Sequence, residues 1–321
     1  MKQSVKRLAK QWLLPVPNAL RKNQLKPDPA GLAHIEHAIR THYHQDWRSE
    51  AHYSPEKYQE DLQAHLSERL ENDRRLIVPW LNKAKPLRGQ RILEIGCGTG
   101  SSTVALAEQG AQVTGIDIDQ GALKVARERA AVYGISAEFQ SINANQLLKT
   151  FGTNRFDSII FFASLEHMTL TERLASLRDA WRMLQPGGLL VIIETPNRLW
   201  FFDSHTSRLP FFNWLPDKLA FRYSQFSPRE NFRELYRQYT PESAEHFLRR
   251  GRGMSFHELE IAIGPVQKLK VVSSISSFLG MRYRLKQSAI DREYKALLGK
   301  IYPDIHPGFF DDHLYLILAK N

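Results

Sequence analysis

The sequence predicts an α/β protein built on a doubly wound, mostly parallel sheet. Between residues 91 and 194, short apolar runs alternate with amphipathic stretches. Such alternation marks parallel strands joined by crossover helices. The first apolar run enters a glycine loop, RILEIGCGTG, at residues 91–100. The second, QVTGIDID at 112–119, ends in acid. Asp117 sits about 20 residues past the loop, where an acidic side chain meets a nucleotide ribose in such sheets.

The elements follow in chain order. Residues 1–26 carry Lys2, Lys6, Arg7, Lys10, Arg21, Lys22 and Lys26, and the first acid is Asp28. Trp12, Leu13 and Leu14 form an apolar patch cut by Pro15 and Pro17. The patch is too short and too broken for a secretory signal. Three readings stand for this basic tail: contact with an anionic membrane surface, an organelle presequence, or a solvated segment. Residues 32–47 read as a helix bearing His34, His37, His42 and His44. They lack the HExxH pattern, and His42 and His44 face apart on a helix, so they are expected at the surface, with one of them near the pocket as the alternative. Ser54-Pro55-Glu56 opens a further helical stretch towards Leu81, with Ser54 capping and Pro55 at the first position.

Then comes the alternation. Strand 91–95 holds Ile92, Leu93 and Ile95. Helix 101–109 follows, with Ser101 or Ser102 placed to cap it. Strand 112–116, helix 120–133, strand 136–141, short helix 144–150, strand 157–162, helix 170–184 and strand 188–194 complete the run. Ligands of such sheets collect at the carboxyl ends of the strands. Gly96, Asp117, Asn143, residues 161–167 and Glu194 are therefore expected around one crevice.

Past Glu194 the alternation stops. Residues 195–253 are dense in aromatics and interleaved arginines. A structureless loop of that length is improbable in a compact domain, so this reads as a folded insertion after the fifth strand. Ser227-Pro-Arg-Glu230 offers it a capping box. A helix at 255–263 and strands at 269–275 and 313–319 end the chain.

Composition bounds the rest. The 321 residues are 42% hydrophobic, enough for a full core. No apolar run approaches the ~18 residues of a membrane span. A single cysteine, Cys97, excludes an internal disulfide and favours a reducing compartment, the cytoplasm. The net charge of +10 invites an anionic partner: nucleic acid, membrane or acidic substrate.

Spacing selects the ligand. A dinucleotide loop, G-x-G-x-x-G, would place its last glycine at Ser101. Instead the order is acid-x-G-x-G-x-G, from Glu94 to Gly100. With Asp117, Phe156-Asp157 and the Leu184-Gln-Pro-Gly-Gly188 turn, the stretch 91–197 resembles the class I S-adenosylmethionine-dependent methyltransferases. The resemblance implies a Rossmann-like seven-stranded sheet with an antiparallel last strand, here 313–319, and a helical cap ahead of it. It implies S-adenosylmethionine as cofactor, lying over Glu94, Gly96, Gly98 and Gly100. Asp117 would bind both ribose hydroxyls, with Ile118, Ala144 and Phe162 lining the site. Asn143 falls where the family usually carries an acid touching the adenine amino group; an amide oxygen can accept that bond. Cys97 reads as a small residue in a tight turn, because methyl transfer from a sulfonium needs no thiol. The implied layout is a basic tail at 1–30, a helical cap at 31–85, a cofactor-binding core at 86–195 and 254–321, and an aromatic-basic substrate lid at 196–253.

Such a transfer is an in-line displacement, so the protein must position the acceptor, deprotonate it and exclude water. His167, in Ser164-Leu-Glu-His167, is the first candidate base, with Glu166 beside it; a structural role at the start of the next helix is the alternative. The segment resembles that of the quinone-pathway O-methyltransferases, where a Glu-x-x-Glu-His pattern is taken to bind a divalent metal. Ala163 replaces the first glutamate, and no metal is assigned. Asp203 and His205 form a second candidate acid–base pair, and Asn197 and Arg198 candidate acceptor contacts. Lid arginines would grip a carboxylate or phosphate. The expected activity is methyl transfer to oxygen on a small-molecule, lipid-like or saccharide acceptor. An N-P-P-Y motif is absent, which counts against base or amide nitrogen. An RNA methyltransferase and a non-catalytic cofactor-binding module are the rivals.

Overall fold

The computed structural model describes residues 16–45, 48 and 54–321. The tail through Pro15, with its candidate membrane contact, lies outside the described residues, as does Trp47. Among the described residues seven strands, β1 (Arg91–Ile95), β2 (Gln112–Asp117), β3 (Ala137–Ser141), β4 (Phe156–Phe162), β5 (Leu184–Pro196), β6 (Lys270–Ser274) and β7 (His313–Ala319), form one sheet in the order β3-β2-β1-β4-β5-β7-β6. The chain divides into two compact units, Met1–Gln146 with Arg155–Ile159, and Leu147–Asn154 with Ile160–Asn321.

After a single helical turn at Asn18–Arg21, the first unit continues with helix α1, Pro29–Ala38. It starts earlier than the sequence pattern suggests, because the Asp28 carboxylate accepts the Gly31 N–H at 2.7 Å and Pro29 fits the first turn. Helix α2, Pro55–Gln63, is capped by Ser54 as expected. It runs on through two π-helical turns, Ala64–Glu68 and Asp73–Ile77, into α3, Val78–Ala84. Strand β1 (Arg91–Ile95), helix α4 (Ser101–Ala107), β2 (Gln112–Asp117), α5 (Gln120–Val132) and β3 (Ala137–Ser141) follow. β1 pairs parallel with β2, Ile92 opposite Val113, and β2 parallel with β3. Neither serine caps α4. Its N-cap is Gly100 at φ +79, and Ser102 turns inward to Glu94 instead. Gly100 also lets α5 come close, since a Cβ there would fall 3.0 Å from Ala126. α1 packs on α5, and a Cβ at Gly121 would meet the His42 carbonyl oxygen at 2.1 Å. His44 is buried, not at the surface as expected, because its Nε2 pairs with Asp61 at 3.0 Å.

β4, Phe156–Phe162, begins in the first unit and ends in the second. The second unit adds α6 (Leu147–Phe151), α7 (Leu170–Met183) and β5 (Leu184–Pro196). α7 is closed by a capping box between Thr169 and Glu172. β5 starts earlier than expected, because the Gly187 N–H donates to Lys320 across the sheet edge. A register shift between Ile192 and Thr195 bulges β5 and holds Glu194 at φ +65.

The insertion folds as three helices, α8 (Asp217–Tyr223), α9 (Glu230–Leu235) and α10 (Pro241–Leu248). Leu209, Phe212, Phe221, Phe232, Tyr236 and Phe247 are its own core. The capping box at Ser227 does not form: α9 starts at Glu230, and the Ser227 hydroxyl donates to the Ser207 carbonyl. After α11 (Phe256–Ala262) and β6 (Lys270–Ser274) come three helices that the sequence pattern did not mark. They are α12 (Ile275–Leu279), α13 (Met281–Lys286) and α14 (Ala289–Ile301). β7, His313–Ala319, then runs antiparallel to both β5 and β6.

Candidate functional site

In the first unit a glycine-lined cradle forms where β1 and β2 end. Gly96, Gly98 and Gly100 all have positive φ. A Cβ at Gly98 would meet nothing within 4 Å, so bare backbone faces open space there. Asp117 Oδ2 accepts the Gly98 N–H and Oδ1 the Asp119 N–H, both at 2.9 Å. Each oxygen keeps a lone pair for a ribose hydroxyl. Burial raises the Asp117 pKa and these backbone N–H bonds oppose the rise. Ser101 Oγ is buried at the start of α4 without a partner. Ile118, 72% exposed, presents an apolar side chain beside Asp117. Asn143 is exposed and Ala144 buried.

Glu94 is fully buried, and its carboxylate takes the hydroxyls of Ser102 and Thr103, the latter at 2.6 Å. It braces the loop against α4 rather than facing a ligand. Cys97 is buried, and burial pushes its thiol well up, so it stays protonated.

The sequence pattern missed the residues that tie the cap to this cradle. His65 Nδ1 bonds Thr99 Oγ1 at 3.0 Å, within the glycine loop. Arg129 is fully buried and donates to the carbonyls of Thr99, His65 and Leu66. Tyr43 packs on His65, with ring centroids 4.5 Å apart. Arg48 lies 4.1 Å over the Tyr43 ring and pairs with Asp119 at 2.8 Å. Arg129 had a readable signal: with Ala122 and Ala126 it shares the buried face of α5.

In the second unit an acid–base cluster forms past β4. Phe162, half-buried, ends the strand, and Ala163 follows at φ +44. Glu166 is fully buried; Oε1 has no hydrogen-bond partner, and Oε2 accepts from Thr195 Oγ1 at 3.5 Å. Burial raises its pKa, and His167 works against that rise. The His167 ring is half-exposed, with Nε2 4.0 Å from Glu166 Oε1. His167 Nδ1 lies 3.0 Å from the Arg249 carbonyl oxygen. A carbonyl only accepts, so Nδ1 carries the proton and Nε2 is left with its lone pair. Arg249 is itself fixed, its guanidinium bonding both oxygens of Glu172 at 2.6 and 2.9 Å.

Asp203 and His205 do not act as a pair. Asp203 accepts from the backbone N–H groups of His205, Thr206 and Ser207 and from the Ser207 hydroxyl, so it anchors its own turn. The His205 imidazole instead bonds Thr206 Oγ1 at 2.9 Å. Burial drives its pKa down to about 3, so the ring is neutral near neutrality. Its ring lies 6.4 Å from that of His167 and 6.3 Å from that of His313. His313, which the sequence pattern placed only in a strand, pairs with Asp312 at 3.2 Å. Asn197 is not an acceptor contact: buried, it donates to the carbonyls of Phe309 and Asp311, both at 2.7 Å. Several insertion arginines are already engaged: Arg252 with Phe212 O, Leu215 O and Asp217, and Arg229 with Thr206 O. Among the described residues no group of three His, Cys, Asp or Glu side chains is set to hold a metal.

Residues 92–188 match the family model described as "Methyltransferase domain". That segment runs from β1 into β5 of the sheet described above, so the core of this chain is similar to a methyltransferase domain. Among curated proteins, the chain is 34% identical over 123 residues to the ubiquinone biosynthesis O-methyltransferase of Pseudomonas aeruginosa (strain LESB58). The match covers 38% of this chain and 51% of that one. The enzyme of the same name from Pseudomonas putida (strain GB-1) is also 34% identical over the same shares. The chain thus spans about half the length of the curated relatives it matches. A solved SAM-dependent methyltransferase from Methanosarcina mazei is 32% identical over 37% of this chain and 58% of its own, with a TM-score of 0.35.

Proposed function

We propose that this chain transfers a methyl group from S-adenosylmethionine to a hydroxyl of a small-molecule or lipid-like acceptor. The cofactor, when bound, supplies an electrophilic methyl on a sulfonium. Asp117 would hold its ribose hydroxyls, the backbone of Gly96 and Gly98 its methionine part, and Ile118, Asn143 and Ala144 its adenine. The open space at Gly98 and the spare lone pairs of Asp117 fit that group. The ubiquinone biosynthesis O-methyltransferases that the chain resembles favour oxygen as the methylated atom.

The observation that carries the reading is the His167 tautomer. With Nδ1–H held by the Arg249 carbonyl, Nε2 is aimed as an acceptor for the hydroxyl proton. As the imidazolium forms, the Glu166 carboxylate at 4.0 Å stabilises it. The proton moves from the acceptor hydroxyl to Nε2 while the oxygen takes the methyl group. His205 would shape the acceptor pocket as a neutral wall.

The test is calorimetric binding of S-adenosylmethionine, S-adenosylhomocysteine and NAD to wild type and Asp117→Ala. Radiolabelled methyl transfer to phenolic, lipid-like and saccharide acceptors follows, with RNA as a control. The reading requires binding of both sulfur ligands, weakened by Asp117→Ala, and labelling that His167→Gln suppresses. Folded protein that binds neither sulfur ligand would sink it.

A further inference from the structure

Five exposed apolar side chains of the second unit lie on two consecutive helices. Met281 and Leu285 sit one turn apart on α13, and Ile290, Leu297 and Ile301 share a face of α14. All five are at least half exposed, from 50% at Leu297 to 75% at Leu285. The packed side of α14 adjoins this stripe: Leu298 is buried, and the Tyr294 hydroxyl donates to the Leu199 carbonyl at 2.7 Å. Trp214 stacks on Tyr294 with centroids 6.5 Å apart and meets Phe211 at 4.9 Å. Both Trp214 and Phe211 are nearly half exposed, so the apolar stripe runs on into an aromatic border.

The same helices are basic. Residues 280–301 carry Arg282, Arg284, Lys286, Arg292, Lys295 and Lys300 against Asp291 and Glu293. Lys295 is tied to Asp311, while the other five cations are exposed. At 100° per residue, Arg282 and Arg284 fall on either side of the Met281–Leu285 stripe.

We propose that α13 and α14, bordered by Trp214, are a docking face for an anionic lipid bilayer. Apolar side chains flanked by Lys and Arg on a surface helix are how a chain lies in the headgroup region. Tryptophan is the side chain that anchors there. A second copy fits the face poorly, since a two-fold contact would set this basic surface against itself. Nucleic acid would use the cations but leave Leu285, Ile290 and Leu297 in water. The inference stands on the surface alone and does not depend on methyl transfer.

The test uses the full chain and vesicles of phosphatidylcholine, with and without phosphatidylglycerol, read by co-sedimentation. Three variants are compared: Leu285→Asp with Ile290→Asp, Arg282→Glu with Arg284→Glu, and Lys2, Lys6, Arg7 and Lys10 each to Gln. Circular dichroism and sedimentation velocity check that each stays folded. Phosphatidylglycerol vesicles should bind the wild type and the tail variant. Both α13–α14 variants should bind at least about tenfold more weakly, since each surface cation contributes about 1 kcal/mol. The proposal fails if those vesicles do not bind the wild type, or if binding survives both α13–α14 variants. It also fails if only the tail variant loses binding, or if Leu285→Asp breaks a self-association with no vesicle binding at all.

Discussion

At the residue scale, two carboxyl groups and one imidazole carry the proposed chemistry, and each is held differently. Asp117 keeps two backbone donors and spare lone pairs. Asp117→Ala should weaken cofactor binding by about 10- to 100-fold, the worth of charged hydrogen bonds at about 1.5–3 kcal/mol. Calorimetry reads this directly. His167→Gln should lower kcat by about 10²- to 10⁴-fold with cofactor affinity unchanged, as for loss of a general base. His205→Gln should cost far less, because that ring is already neutral and bonded to Thr206. Glu166 carries a cost of its own. Its carboxyl is raised by burial, so its folded pKa lies above the unfolded one. Stability from such a group is present at low pH and lost as pH rises through the folded pKa. Glu166→Gln should therefore raise Tm at pH 8 more than at pH 5 while lowering activity; equal shifts at both pH values would refute this. Little of this placement was legible from residue types. Asp203 and Asn197 are as polar as Asp117, yet Asp203 spends its bonding capacity inside its own turn and Asn197 donates to the distant Phe309 and Asp311 carbonyls.

At the scale of elements, His167 depends on a chain of supports. The Arg249 carbonyl that fixes its tautomer follows the last turn of α10, and the Arg249 guanidinium grips Glu172 in the first turn of α7. Glu172→Ala removes that grip and the capping box together. It should cost about 1–2 kcal/mol in denaturant unfolding, and lower kcat more than it raises KM. A purely structural role would leave the kcat/KM profile with pH unmoved. On the cofactor side, Arg129→Met leaves the Thr99, His65 and Leu66 carbonyls without their donor. Each orphaned group costs about 1–3 kcal/mol, so both stability and cofactor affinity should fall. The alternating core was readable because its central strands β1, β4 and β5 are buried on both faces and its helices on one. α12 to α14 were not, for a physical reason. α12 and α13 are short and are separated by Gly280 at φ +54, and the apolar residues of α13 and α14 are largely exposed. Burial periodicity has nothing to report where a helix leaves its apolar face uncovered. The Ser227 box does not form because Ser227 Oγ accepts the Arg229 N–H, two residues on, while its hydroxyl donates to Ser207.

At the scale of the whole molecule, buried histidines set the response to acid. His65 in the first unit and His205 in the second are both kept neutral by burial, the latter with a pKa of about 3. An unfolded histidine takes its proton near pH 6.5. Between about 6.5 and about 3 the unfolded chain therefore binds more protons at His205 than the folded one does. Stability from this group is full above that window and is lost as pH falls through it. Glu172, held down to about 2 by Arg249, adds loss of the same sign at the acid end. The buried acids Glu94 and Glu166 oppose it, since their raised pKa values favour the folded state as pH falls. The two histidines lie in different units, so both units should lose stability on the acid side. Thermal melts from pH 7.5 down to 4 should show Tm falling. His205→Gln should flatten that fall without removing it, because His65 remains. A profile unchanged by His205→Gln would mean that its burial does not persist in solution, and the neutral wall assigned to it in the acceptor pocket would go with it.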